Sequence, residues 1–232
     1  MIKLYQFQPA FGLPNASPFC MKVENYLRMA RLQYEIAPRA SHFRAPKGKL
    51  PYIEDGAKII ADSSFIIEYL KSAYGDPLDV RLTPLENAQA LALRRMMEEN
   101  LYWALAYTRW MEPQGWKVTK AEFFKPVPAL LRGPISAFAH RGVARQLWGH
   151  GLGRHSTNEV HRIGNTDITA LADFLGEKPF FMGESPTSLD ASAYAFLANI
   201  ILVPLDSALK RHALKYPQLE AYCLRMRARY YP

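Results

Sequence analysis

The stretch LPYIEDGAKIIADS, residues 50–63, predicts two short β-strands followed by the start of an α-helix. Proline is tolerated at the first residue of a strand, so Leu50-Pro51 marks the beginning of the first strand. The pair Asp55-Gly56 is typical of a tight hairpin turn, and the run 58–61 supplies the second strand. Asp62-Ser63 then offers a side-chain cap for a helix. The stretch therefore predicts a hairpin that leads directly into a helix.

The sequence on the N-terminal side adds two strands and one helix. Residues 2–7 alternate apolar and polar side chains, which indicates a strand, and residues 33–37 form another candidate strand. Between them, Ser17 is a candidate N-cap and Pro18 occupies the first helical position, which is a strong helix-start signal. The predicted order through Gly75 is therefore β-α-β-(loop)-β-β-α.

In the second part of the chain the pattern becomes helical almost throughout. We expect a first domain at residues 1–75, a linker rich in turn formers at 76–84 and an all-helical domain at 85–232. Two capping-box motifs, one starting at Ser156 and one at Thr187, precede apolar helical stretches. The predicted fold class is an α/β lobe followed by an all-α lobe.

A histidine-rich segment lies in the middle of the helical part. Prolines 126, 128 and 134 are expected to divide this region into shorter helices, and the glycines beyond them indicate a mobile loop. The four histidines are His140, His150, His155 and His161. No two of them have the i, i+4 spacing typical of helical zinc ligands, so no metal site is predicted. Residues 132–162 carry five arginines and one acid, which makes them a candidate basic patch for an anionic surface or substrate.

The composition is typical of a folded, soluble protein. The 232 residues are 49% hydrophobic and 22% charged, and no apolar run reaches the roughly 18 residues of a membrane span. The N-terminus lacks a basic leader followed by an apolar run, so no secretory signal is expected. Two cysteines, Cys20 and Cys223, cannot form a disulfide framework. These features predict a cytoplasmic protein in a reducing environment.

The net charge is +8 at pH 7, and the positive excess is divided evenly between residues 1–75 and the remainder. A dedicated nucleic-acid domain concentrates its basic residues on one face, so no nucleic-acid partner is expected. An anionic small ligand is consistent with the same charge.

The junction Ser17-Pro18-Phe19-Cys20 is the first candidate functional site. A helix N-terminus carries unpaired N–H groups and a partial positive charge of about +0.5, which stabilises an anion such as a thiolate. Ser17 stands three residues before Cys20, the spacing of a redox CxxC pair whose first cysteine is replaced by serine. The serine hydroxyl can donate a hydrogen bond to the thiolate of a ligand, or it can act only as a helix cap.

Two further positions are suited to a peptide-like ligand. A cis bond at Leu50-Pro51 would leave the Leu50 N–H and C=O available to an extended peptide, whereas an ordinary trans bond at a strand end is the alternative. Asp62 and Ser63 combine side-chain acceptors with free backbone N–H groups at a helix start. That combination suits a ligand that carries both an ammonium and a carboxylate group.

Taken together, these motifs resemble the thioredoxin-like N-terminal domain of glutathione transferases. The match includes residues 46–51, Asp62-Ser63 and the helical stretch 65–70. The second half is similar to the same superfamily through residues 181–183 and 186–191. The resemblance covers nearly the whole chain and implies a thioredoxin-like α/β domain plus an all-α C-terminal domain.

One branch of the superfamily is especially similar. The motif SPFCMKVE at residues 17–24 and the cluster of Trp103 with Arg109-Trp110 are most similar to the metaxin and Fax-like branch and its bacterial relatives. The superfamily resemblance also implies a homodimer.

The resemblance implies roles for individual residues at the thiol of glutathione. Ser17 matches the position whose hydroxyl activates this thiol in serine-type members. The loop from residue 8 to residue 16 is longer than in many members, so Asn15 is an alternative, and Tyr5 lies close to the tyrosine-class position.

The same resemblance implies which residues would bind the rest of the glutathione molecule. The Leu50 backbone would pair with the cysteinyl part, beside cis-Pro51. Asp62 and Ser63 would hold the γ-glutamyl end, and Lys49 would meet the glycine carboxylate.

The implied function is a glutathione transferase of the detoxification type, with glutathione as co-substrate and a small hydrophobic electrophile as its second substrate. The electrophile would lie between the lobes, against aromatic residues such as Tyr102, Trp103, Tyr107 and Trp110. The alternative is a non-catalytic binding or adaptor protein of the metaxin and Fax-like kind. A thiol–disulfide reductase would need a nucleophilic cysteine where Ser17 stands, and Cys20 is expected to be a buried, inert thiol.

Overall fold

The N-terminal part of the protein is built on a small mixed sheet. The computed structural model describes residues 1–38, 40 and 45–232. The strands are β1 (Ile2–Tyr5), β2 (Tyr34–Ile36), β3 (Tyr52–Asp55) and β4 (Lys58–Ala61). Within the described residues the sheet has the order β2-β1-β3-β4. β1 pairs in parallel with β2 and antiparallel with β3, and β3 and β4 form the antiparallel hairpin predicted from the sequence.

Helices pack on this sheet and form the remainder of the chain. They are α1 (Pro18–Met29), α2 (Ser63–Tyr74), α3 (Pro84–Arg95), α4 (Tyr102–Trp110), α5 (Pro113–Phe123), α6 (Ala129–His150), α7 (Thr157–Leu175), α8 (Ser188–Ile201), α9 (Ala208–Ala213) and α10 (Pro217–Tyr230). A π-helical turn, Met96–Leu101, joins α3 to α4. In the described parts of the chain, no helix combines the length and apolarity needed to cross a bilayer. The architecture is the predicted α/β lobe followed by an all-α lobe.

Local capping signals place the helix starts where the sequence predicted them. Ser17 caps α1 and Asp62 caps α2, each through a side-chain oxygen that accepts a backbone N–H. Capping boxes begin α7 at Ser156 and α8 at Thr187. Gly56 has a φ of +60°, which a tight turn between two strands requires and which glycine adopts without steric cost.

The predicted division at the central prolines is confirmed for Pro126 and Pro128, which lie between α5 and α6, but it is wrong for Pro134. The predicted mobile loop is also wrong. Helix α6 runs without interruption through Pro134, while Pro128 is its N-cap and Pro126 precedes it. Pro134 lies in the second turn, so its missing N–H removes only the hydrogen bond to the Leu130 carbonyl. Leu130 is exposed, so water can satisfy that carbonyl. The segment expected to be a loop is the second half of α6, a short 3₁₀ turn at 152–154 and the start of α7.

Helix α1 lies at the centre of the molecule and joins its two parts. It packs against α2 on one side and against α8 of the helical part on the other. Almost all of its residues are buried, including Glu24 and Asn25. Glu24 accepts a hydrogen bond from Gln6 Nε2 at 2.7 Å, and Asn25 Nδ2 donates to the Ala191 carbonyl at 2.8 Å. The middle of α1 is therefore hydrogen-bonded to both lobes.

A buried carboxyl in α7 predicts a pH dependence of stability. Asp167 accepts a hydrogen bond from Asn100 Nδ2 at 2.7 Å, but burial dominates and raises the pKa of Asp167 to about 6. The folded state therefore binds the proton of the Asp167 carboxyl more tightly than the unfolded state does. The resulting stabilisation is present at acid pH and is lost as the pH rises through 6. Asp167→Asn removes this effect and keeps an acceptor for Asn100. We expect the free energy of unfolding of the variant, relative to that of the wild type, to increase by about 2 kcal/mol when the pH is raised from 4 to 7.

Urea unfolding of both proteins at the two pH values measures this difference. Asp173→Asn is the matched control, since Asp173 lies exposed on the same helix. A stability difference between Asp167→Asn and the wild type that is the same at both pH values contradicts the prediction.

Candidate active site

The first turn of α1 contacts the open end of the β3–β4 hairpin. Cys20 of α1 belongs to a buried cluster with Ala45, Leu50, Tyr52 and Ala61. Tyr52 and Ala61 are paired in register across the hairpin, so Leu50-Pro51 and Asp62-Ser63 lie next to each other at its end. The structure thus brings the three regions singled out in the sequence to one place.

Ser17 stands at the tip of α1. Its backbone is extended, with φ −90° and ψ 116°, and its Oγ accepts the Cys20 N–H at 3.4 Å. This distance is long for a hydrogen bond, and the side chain is only partly buried. The hydroxyl also lies within hydrogen-bonding reach of the Cys20 thiol, whose pKa it lowers. Its proton can instead turn outward, where the helix N-terminus also favours a negative charge.

The hydroxyl of Tyr5 is directed to a carboxylate. It donates to Glu54 Oε2 at 2.8 Å, and the Tyr5 ring stacks on Tyr52 with 4.2 Å between centroids. The hydrogen bond to Glu54 is the main reason that the pKa of Tyr5 is raised to about 12. A phenol tied to a carboxylate is a poor partner for a second anion, so this geometry does not favour Tyr5 as the group that faces a thiol.

Asn15 is fully buried and holds the loop that precedes α1. Its Nδ2 donates to the Phe7 carbonyl at 2.6 Å, and its Oδ1 accepts the Ser17 N–H at 3.0 Å. The side-chain amide is thus occupied within the protein. Asn15 positions Ser17, and its burial does not favour contact with a ligand.

Arg109 anchors the same loop from α4. Its buried guanidinium donates to the Ala16 carbonyl at 2.7 Å and to the carbonyl and Oδ1 of Asn199 at 2.8 Å. Burial lowers the pKa of Arg109 to about 10, so the group is still charged at neutral pH. The residue directly before Ser17 is therefore tied to α4 and α8. The sequence drew attention to Arg109 only as part of an aromatic motif, because its partners are carbonyl groups distant in the chain.

Cys20 has the properties of an inert thiol, as predicted. It is completely buried, and burial raises its pKa to about 12. The thiolate needed for thiol–disulfide exchange is therefore scarce at neutral pH. This argues against the reductase alternative.

The peptide bond between Leu50 and Pro51 is cis, as the peptide-binding interpretation requires. The Leu50 side chain is buried in the cluster around Cys20, while no backbone hydrogen bond joins Leu50 to another described residue outside the regular elements. The side chain of Lys49, directly before it, is exposed.

Asp62 and Ser63 differ in how far they remain available to a ligand. Asp62 is exposed at a φ of +84°, and its Oδ1 accepts the Ser64 N–H at 2.9 Å, which leaves further acceptor capacity on the carboxylate. Ser63 is buried, and its Oγ accepts a hydrogen bond from Lys22 Nζ at 3.4 Å. The exposed group at the start of α2 is therefore the Asp62 carboxylate.

Lys22 is a site residue whose role the sequence did not reveal. Its Nζ is completely buried, forms an ion pair with Glu98 Oε1 at 2.7 Å and donates to Ser64 Oγ at 3.1 Å. Desolvation lowers the pKa of Lys22, and Glu98 opposes this effect. Lys22 thus links α1, the start of α2 and the π-helical turn that contains Glu98. A lysine between Met21 and Val23 on a buried helix was the available signal, but its acidic partner is 76 residues away in the sequence.

Among the predicted aromatic residues, Tyr102 contacts the tip of α1. Its ring packs edge-on against Phe19 with 4.9 Å between centroids, and Phe19 also contacts Phe196 at 5.7 Å. The other predicted aromatics contact groups within the helical part, namely Trp103 on His150, Trp110 on Trp116 and Tyr107 on Thr157. Two cavities of about 230 and 400 Å³ also lie within the helical part, lined by residues of 116–141 and 158–212.

The four histidines are distributed over separate contacts. His140 lies against Trp116 and His150 against Trp103, while His155 and His161 approach Glu159 and Glu112. In the part of the chain that the structure describes, no three metal-ligating side chains come together.

Sequence models of one protein family match both parts of the chain. The model of the glutathione S-transferase N-terminal domain matches residues 18–115, and that of the C-terminal domain matches residues 164–226. Solved structures match the fold over 98% of the chain. One is a glutathione S-transferase of Ceriporiopsis subvermispora in complex with glutathione, with a TM-score of 0.69, 18% identity and 97% of that chain covered. Another is a beta-etherase of Sphingobium sp., with a TM-score of 0.67, 17% identity and 95% covered.

The curated relatives include an enzyme as well as proteins named for other properties. An isoprene-epoxide–glutathione S-transferase of Rhodococcus sp. is 38% identical over 99% of this chain and 99% of its own length. The Drosophila melanogaster protein Failed axon connections is 34% identical over the whole of this chain and 58% of its own length. Human metaxin-2 is 26% identical over 91% of this chain and 81% of its own length. The resemblance to the metaxin and Fax-like branch is thereby confirmed. The chain belongs to the glutathione transferase superfamily.

Proposed function

We propose that this protein binds glutathione at the tip of α1 and transfers its thiolate to a small hydrophobic electrophile. The observation that carries the proposal is the position of the Ser17 hydroxyl at a helix N-terminus, beside cis-Pro51 and the exposed Asp62 carboxylate. We further propose that residues 1–75 form the glutathione-binding domain, that 76–84 form the linker and that the enzyme acts as a cytoplasmic homodimer in detoxification.

Each part of glutathione meets a complementary group in this proposal. The backbone of Leu50 pairs with the cysteinyl residue, and the Asp62 carboxylate accepts hydrogen bonds from the γ-glutamyl ammonium group. Ser63 offers its backbone N–H at the start of α2 to the γ-glutamyl carboxylate, since its side-chain oxygen is engaged by Lys22. Lys49 is exposed and can reach the glycine carboxylate.

The chemical step requires the thiol of glutathione to lose its proton to solvent. A hydrogen bond from the Ser17 hydroxyl and the dipole of α1 favour the thiolate and lower its pKa. The sulfur then attacks an electrophilic carbon, the C–S bond forms, and the leaving group departs with its electron pair. With an epoxide the C–O bond breaks, and the resulting alkoxide takes a proton from water.

Epoxides are the first class of electrophile to test. The relative that is 38% identical over nearly the whole chain is named for an isoprene epoxide. Phe19 and Tyr102 lie at the tip of α1 and supply an apolar surface for such a substrate.

Ligand binding without turnover is the second candidate function. The similarity to Failed axon connections and to metaxins favours it, because neither is named as a transferase. Calorimetry with glutathione, followed by conjugation assays with a panel of epoxides, separates the two. Binding with no conjugation of any electrophile supports the second candidate, and no heat at millimolar glutathione rejects both in favour of an adaptor.

Asp62→Asn is expected to weaken glutathione binding by about tenfold, because the charge that holds the ammonium group is lost. Asparagine caps a helix as well as aspartate and also tolerates a positive φ, so the stability should change little. Calorimetry measures the dissociation constant, and thermal unfolding measures the stability.

Glu68→Gln supplies the control for the charge change, since Glu68 is exposed on the same helix. Equal affinities of Asp62→Asn and the wild type would remove Asp62 from its assigned role, while leaving Ser17 to be tested separately.

A further inference from the structure

The exposed face of α6 is unusually apolar for a protein surface. Leu130 is 93% exposed, Phe138 75% and Trp148 60%. Leu131 and Ile135 are exposed on the same helix. Large exposed apolar patches on folded proteins mark sites of interaction with other proteins or with membranes.

These side chains share one side of the helix. At about 100° per residue, Leu130, Leu131, Ile135, Phe138 and Trp148 all fall within an arc of roughly 140°. The buried residues of α6, Ser136 and Leu147, point to the opposite side and face the rest of the protein. The helix therefore presents an outward apolar strip over residues 130–138, with Trp148 nearly three turns further along the same side.

Positive charge accompanies the apolar strip. Arg141 and Arg145 are exposed within the same arc, and no ion pair involves either of them in the described part of the chain. Residues 123–158 contain no aspartate or glutamate. The cations of this range are Lys125, Arg132, Arg141, Arg145 and Arg154. Within this range of the sequence the apolar strip is therefore accompanied only by positive charge.

We propose that the exposed face of α6 docks this protein onto the surface of an anionic lipid bilayer. A helix with an apolar strip and flanking arginines lies in the plane of such a surface, with its apolar side chains among the acyl chains and its cations at the lipid phosphates. A second copy of this chain fits less well, because a symmetric contact through this face would bring two surfaces of the same positive charge together. The docking concerns a helix that contributes none of the proposed glutathione-binding residues, so it stands independently of the proposed chemistry.

Vesicle co-sedimentation of the full-length protein tests the proposal. We expect binding to vesicles of phosphatidylcholine with one quarter phosphatidylserine, weaker binding to phosphatidylcholine alone, and release from the anionic vesicles at high salt. The double variants L130S/F138S and R141Q/R145Q should each lower the partition coefficient for anionic vesicles by about tenfold or more.

Matched controls alter exposed residues on other elements. L85S/L224S removes exposed apolar side chains from α3 and α10, and R81Q/K215Q removes two exposed cations. Both controls should bind as the wild type does, and thermal unfolding checks that every variant is folded. Absence of binding to anionic vesicles, or binding that neither α6 variant reduces, overturns the proposal. Self-association that L130S/F138S abolishes in solution, without vesicle binding, assigns the face to a second copy instead.

Discussion

Ser17→Ala is expected to lower kcat for glutathione conjugation by about 10- to 100-fold. A hydrogen bond to a charged group contributes about 1.5–3 kcal/mol, and this one is made to the thiolate. The affinity for glutathione should change much less, because Leu50, Asp62 and the start of α2 still hold the rest of the molecule. Steady-state kinetics with an epoxide, together with calorimetry, separate the two quantities.

The pH profile distinguishes this chemical role from a structural one. Loss of the donated hydrogen bond should raise the pKa of bound glutathione, so the pH at which the rate rises should move upward by about one unit. A variant that is merely less stable would not shift this profile.

Ser207→Ala is the matched control for the loss of a helix cap. Ser207 caps α9 by accepting the Lys210 N–H at 3.1 Å, and it lies outside the proposed site. Both substitutions should cost about 1 kcal/mol of stability, but only Ser17→Ala should alter catalysis. Unchanged conjugation rates in Ser17→Ala would show that this hydroxyl is only a cap.

Asp190→Ala is expected to destabilise the protein by about 4 kcal/mol. The carboxylate is completely buried and accepts the N–H groups of Phe181 and Thr187 at 3.0 and 2.8 Å. It also accepts the hydroxyl of Tyr222 at 3.1 Å. Truncation leaves these donors buried without a partner, and each such group costs about 1–3 kcal/mol. Urea unfolding measures the loss.

Glu159→Ala tests the same capping-box geometry at the surface. Glu159 is partly exposed and accepts the Ser156 N–H at 2.8 Å, so water can replace it and the expected cost is much smaller than that of Asp190→Ala. If Asp190→Ala does not fold, Asp190→Asn retains one acceptor oxygen and should give an intermediate loss. A cost for Asp190→Ala no greater than that for Glu159→Ala would refute the argument from burial.

Patterns that act over a few residues were predicted correctly from the sequence. Ser17, Asp62 and Ser156 cap helices because a side-chain oxygen reaches a backbone N–H two or three residues along the chain. Asp55-Gly56 forms its turn for a similarly local reason. The error at Pro134 has a local cause as well: one missing hydrogen bond near an exposed helix end was too small an effect to divide α6.

The polar residues of α1 show where sequence patterns fail. Lys22, Glu24 and Asn25 are polar, yet all three are buried. Burial of Lys22 is tolerated because it forms an ion pair with Glu98, and burial of Glu24 because it accepts a hydrogen bond from Gln6. Neither partner is adjacent in the sequence. Because α1 is buried on nearly every side, its amphipathic pattern does not identify a solvent-exposed face.

The sequence by itself determined the order of elements, the helix caps and the identity of the residues around the tip of α1, since each depends on short-range hydrogen bonds or on the hydrophobic period. Only the tertiary structure decided that Asn15 and Tyr5 are engaged within the protein while Ser17 and Asp62 remain accessible. It also decided that α6 leaves an apolar strip uncovered. Accessibility is a property of packing between distant segments, and a linear pattern does not contain it.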